Sequence, residues 1–74
     1  MPHVSIKHFP ADLTKEQETA LVGALTEAVR MAFGCDEGVI SIALEPVDPG
    51  AWQERVYQPE IIERRHLLRK QPAY

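Results

Sequence analysis

The chain has 74 residues, enough for a single domain over residues 1–74 with a modest core, and its 45% hydrophobic content is ordinary for a globular protein and too high for a disordered one. Eleven acidic against eight basic residues give a formal charge of −3, the wrong sign for a general nucleic-acid binder. Cys35 is the one cysteine, which excludes a disulfide within the chain, and His3, His8, His66 and Cys35 follow none of the recurring zinc spacings.

With neither disulfide nor metal, a domain this small gains robustness by associating with further copies of itself. No charged segment precedes an apolar run, and no stretch has the length of a membrane span, so a soluble cytoplasmic protein is expected, in keeping with a lone thiol.

The first element is a short strand, with Val4, Ile6 and His8 on one face and His3, Ser5, Lys7 and Phe9 on the other; Pro10 ends it. Its second residue is proline. Methionine before so small a residue is expected to be removed, which leaves Pro2 with a secondary amine at the N-terminus. An apolar pocket favours the neutral form of such an amine, and a base that is neutral near physiological pH can move protons.

Thr14-Lys15-Glu16-Gln17 has the form of a capping box, so a helix is predicted to start there. Leu21, Ala24, Leu25, Ala28, Val29, Ala32 and Phe33 recur at spacings of three and four and make one apolar stripe. Gly34 stands where a left-handed cap belongs, after about five turns. Gly23, unfavourable inside a helix, hints at close packing.

The run Val39-Ile40-Ser41-Ile42-Ala43-Leu44 is nearly all apolar, as suits a strand covered on both faces beneath a crossover helix. Strand, helix, strand reads as a βαβ unit with a right-handed crossover, and a second copy is the simplest cover for the sheet it leaves bare. Asp48-Pro49-Gly50-Ala51-Trp52 reads as a turn that delivers one large aromatic. Pro59 then suits the first position of a second helix, with Ile61, Ile62, Leu67 and Leu68 on its apolar side, Arg69 and Lys70 in its last turn, and Pro72 beyond.

Pro2 opening a strand, the Thr-Lys-Glu-Gln helix entry, the strand Ile40-Ser41-Ile42-Ala43-Leu44 and the aromatic Trp52 together resemble the 4-oxalocrotonate tautomerase family. The likeness covers about the first fifty residues. Within that family it is greatest to the small enterobacterial phenylpyruvate-tautomerase-like members, which share the Pro-His start, the Ser-Ile-Ala-Leu strand and an ending near Lys-Gln-Pro-Ala-Tyr. The resemblance implies an α+β fold in which β-α-β subunits with a C-terminal helix pair across a dimer into a four-stranded sheet. It also implies cofactor-independent interconversion of enol and keto carboxylates, with Pro2 as general base.

Two arginines that hold a dicarboxylate in the type enzyme fall, in this alignment, at Leu13 and Ser41, and an apolar wall falls at Trp52. Arginine grips a carboxylate with two charge-assisted hydrogen bonds, which neither leucine nor serine can reproduce. The resemblance therefore implies a small aromatic monocarboxylate, phenylpyruvate-like, as substrate. Lys7, Arg55 and Arg64 are the candidate replacement cations. The same comparison points to a homodimer, with a hexamer as the alternative. An idle ligand-binding or structural dimer of the same fold is the competing reading of function.

Overall fold

A computed structural model describes every residue from Met1 to Tyr74. Strand β1 spans His3–His8, helix α1 spans Lys15–Phe33, and strand β2 spans Ser41–Pro46. The two strands run parallel, with His3 opposite Ser41 and His8 opposite Pro46. Main-chain bonds close both ends of the ladder: Ser41 N–H donates to the Pro2 carbonyl at 3.2 Å and Val47 N–H to the His8 carbonyl at 2.7 Å.

Helix α1 begins and ends as its sequence demands. The Thr14 hydroxyl accepts the Gln17 N–H at 3.1 Å, and the Gln17 side chain accepts the Thr14 N–H at 2.9 Å. Gly34 takes φ 62° and its N–H returns to the Arg30 carbonyl. The side of α1 turned to the sheet consists of Leu21, Val22, Leu25, Thr26 and Val29, all half-buried, whereas Ala24, Ala28, Ala32 and Phe33 stay exposed. The apolar stripe is thus wider than the surface two strands offer it. Gly23 packs against nothing: a Cβ there would meet no atom within 4 Å, so the close approach expected at this glycine does not occur within the chain.

The second helix departs from expectation. A 3₁₀ turn at Pro49–Ala51 leads directly into a π-helical coil over Gln53–Ile62, so Pro59 lies inside the coil and not at its start. In an α-helix the proline ring would collide with the carbonyl four residues back. The wider coil avoids that, with Glu63 N–H bonding to the Gln58 carbonyl five residues back at 3.0 Å. The coil stops at Ile62, well before Arg69 and Lys70; Leu67 falls in a separate 3₁₀ turn and Leu68 in extended chain.

Ion pairs place this coil on the sheet. Lys7 and Glu45 are register partners, so their side chains share a face. Lys7 pairs with Glu60 and Glu45 with Arg55, both from the coil. The coil therefore lies on the face opposite α1 and toward the C-terminal ends of the strands, and leaves His3, Ser5, Ser41 and Ala43 exposed nearer their starts. Strand β2 is accordingly covered on both faces only over part of its length. Val47 and Val56 are the two buried residues of the chain, so a single protomer encloses almost no core.

Candidate active site

Pro2 lies just ahead of β1, where α1 ends above the sheet. It lines a cavity of about 400 Å³ with Met1, His3, Val4, Val29 and Phe33. No lysine or arginine borders this cavity. Its apolar wall comes from the last turns of α1, and Phe33, 70% exposed, contributes an aromatic surface that the helix stripe alone marks as core. Met1 is 99% exposed, and while it remains attached the Pro2 nitrogen is an amide without basicity.

Ser41 joins Pro2 through the backbone bond that closes the sheet. Its hydroxyl also meets His3 Nδ1 at 2.6 Å across the ladder. From sequence His3 stands out only as the residue after Pro2, able to tune it or else an exposed edge histidine; the parallel register makes it the neighbour of Ser41.

Leu13 and Trp52 lie elsewhere. Leu13 is exposed and borders a separate concavity with His8, Pro10, Ala11, Glu18, Leu44 and Pro46. Trp52 meets Phe9 edge to face, with ring centroids 5.0 Å apart at 87°. Phe9 is seven residues beyond Pro2, which at about 3.3 Å per residue of strand puts the two some 23 Å apart. Within one protomer the four residues thus form two groups, Pro2 with Ser41 at one end of the strands, and Leu13 and Trp52 at the other.

The candidate cations are each engaged. Lys7 Nζ donates to Glu60 at 2.6 Å, Arg64 to the same carboxylate at 3.3 Å, and Arg55 to Glu45 at 2.8 Å. The hydrogen bond from Lys7 is the main cause that holds the Glu60 carboxyl below its ordinary value; desolvation opposes it, and the charges of Lys7 and Arg64 reinforce it. Lys7 and Arg64 line a cavity of about 410 Å³ together with Trp52 and Tyr74. No three His, Cys, Asp or Glu side chains gather into a metal-holding group, and no helix is long and apolar enough to cross a membrane.

Residues 2–57 match the family described as tautomerase enzyme. Curated relatives named Tautomerase PptA align over the whole chain and 97% of their own length, among them proteins of Klebsiella pneumoniae subsp. pneumoniae at 46% identity, Escherichia coli at 35% and Pectobacterium carotovorum at 32%.

Proposed function

The chain belongs to the tautomerase family and is an isomerase of that class, and from that premise we propose that it interconverts the enol and keto forms of a small aromatic monocarboxylate of the phenylpyruvate kind, with the Pro2 amine as general base. The observation that carries this reading is the setting of Pro2, in a cavity walled by Val29 and Phe33 and bordered by no lysine or arginine. Once Met1 is removed, such a lining favours the free amine over the ammonium. The amine takes the proton of the enol hydroxyl, the ammonium so formed returns a proton to the neighbouring carbon, and the carbonyl and the free amine result. A phenyl ring finds apolar surface here. The protomer's own residues around Pro2 offer the second carboxylate of a dicarboxylate no guanidinium.

Assembly is part of the same proposal. One protomer has two buried residues and leaves apolar residues of α1 uncovered. It also keeps Leu13 and Trp52 far from its own Pro2, so they can reach a Pro2 only in another copy. We propose a homodimer acting in the cytoplasm without a cofactor. The coil Gln53–Ile62 already covers part of the sheet face opposite α1, which favours a dimer over a hexamer that would need that face.

The test is the intact mass of the purified protein, then ketonisation of phenylpyruvate enol by that sample and by Pro2→Ala. The expected result is loss of one methionine and a rate at least about a hundredfold lower in the variant, the usual scale of a general base. Equal rates would overturn the base assignment and favour an idle ligand-binding or structural dimer.

A further inference from the structure

Two adjoining concavities meet at Trp52. One, of about 410 Å³, lies between Ser5 and the coil; the other, of about 530 Å³, opens toward His8 and Phe9. Lys7, Trp52 and Tyr74 border both, so these three side chains form the wall between them.

Two of the three are fixed. Lys7 is held by Glu60 at 2.6 Å, and Trp52 packs edge to face on Phe9. Tyr74 is not fixed in this way. It belongs to residues 69–74, which follow the last 3₁₀ turn and take part in no main-chain hydrogen bond. The Arg69 guanidinium reaches only the His66 and Leu67 carbonyls just before it. Tyr74 is held by its ring against that of Tyr57, with centroids 5.9 Å apart, and stays 68% exposed. A pair of this kind favours the closed arrangement by about two- to tenfold. Segments with so few hydrogen bonds open far more readily than the fold they lie on.

We propose that residues 69–74 form a strap and that Tyr74 is its movable end: when the ring leaves Tyr57, the two concavities join into one cleft that takes an aromatic monocarboxylate. The strap therefore competes with the ligand. Lys7 and Arg64 outnumber the one carboxylate, Glu60, that pairs with both, so the cleft keeps a positive charge beside the Trp52 ring. The Lys7 ammonium donates one hydrogen bond of the three available to it. The ligand class rests on the reading of function given above, whereas the movement of the strap rests on its own contacts.

The experiment follows the fluorescence of Trp52, the one tryptophan of the chain, under acrylamide quenching and under titration with phenylacetate, an aromatic monocarboxylate with no enol to ketonise. Wild type, Tyr74→Ala and Tyr74→Phe are compared, each also in a Pro2→Ala background. Tyr74→Ala is expected to be quenched more steeply and to bind phenylacetate about three- to tenfold more tightly, because no closed state has to be displaced. Tyr74→Phe keeps the ring and should stay within about twofold of wild type in both readouts. Equal quenching in wild type and Tyr74→Ala, a dissociation constant that Tyr74→Ala does not lower, or a phenylalanine variant that follows the alanine one would each overturn the proposal. So would phenylacetate that leaves Trp52 fluorescence unchanged. Failure of the base reading is separate: it shows as unimpaired ketonisation by Pro2→Ala and moves neither fluorescence readout, whereas failure of the strap leaves ketonisation dependent on Pro2.

Discussion

The Lys7 ammonium on β1 lies 2.6 Å from the Glu60 carboxylate, joining residues 53 positions apart in the chain. This contact ties the π-helical coil to the sheet, and it sets a pH dependence. The Glu60 carboxyl is held below its ordinary value, chiefly by the hydrogen bond from Lys7. The folded chain therefore binds fewer protons at this group than the unfolded one. Its stabilising effect is complete above the ordinary carboxylate range and is lost as pH falls through the lowered folded value. Thermal midpoints taken from neutral pH down to about pH 3 should fall less steeply for Glu60→Gln than for wild type. Parallel curves would show that Glu60 does not supply the acid limb.

Two glycines, one inside α1 and one capping its C-terminus, should respond in opposite directions to alanine. Gly34 occupies the left-handed region at φ 62°, where a Cβ costs about 1–2 kcal/mol. Gly23 lies mid-helix with open space where a Cβ would go, so Gly23→Ala should stabilise by about 1 kcal/mol. Urea denaturation of the two variants checks both signs. A loss at Gly23 would mean that another copy packs against that stretch of α1.

The parts of the fold legible in the sequence are those set by local chemistry. Thr14 and Gln17 mark the start of α1 and Gly34 its end, because capping needs only neighbours in the chain. Pro59 misleads for the same reason. Proline usually opens a helix, and only the widening of the coil to five-residue bonds lets it stand inside one. The His3–Ser41 pair depends on which residues of two distant strands face each other, and hydrophobic alternation does not fix that offset in a parallel pair. Pro2 is singled out in the sequence by position and resemblance, whereas the placement of Phe33 beside it is not, since an aromatic at the end of an apolar stripe reads as core.

Trp52 has a contact that accounts for it structurally, its edge-to-face packing on Phe9. Trp52→Ala should lower stability by about 2 kcal/mol, less than for a fully buried tryptophan because Trp52 is only half-buried. Trp52→Phe retains an aromatic partner for Phe9 and separates the two roles. If Trp52 also walls a neighbouring copy's Pro2 cavity, the phenylalanine variant should show a KM for phenylpyruvate enol raised about threefold or more with kcat nearly unchanged, as expected when uniform binding is lost. Unchanged KM and kcat would confine Trp52 to holding the coil against the strand.

Association should be inseparable from folding, since Val47 and Val56 alone are buried in the protomer. The 70% exposure of both Met31 and Phe33 leaves large apolar side chains in water at the end of α1, and their burial between copies would supply what the protomer lacks. Sedimentation equilibrium is expected to return two copies. The thermal midpoint should fall with each tenfold dilution, because mass action on a dimer that dissociates as it unfolds weakens it by about 1.4 kcal/mol per decade. A midpoint independent of concentration, at a mass of one copy, would mean that the exposed side chains are tolerated without a partner. A mass of six copies would mean that the coil Gln53–Ile62 leaves enough of the sheet face free for higher assembly.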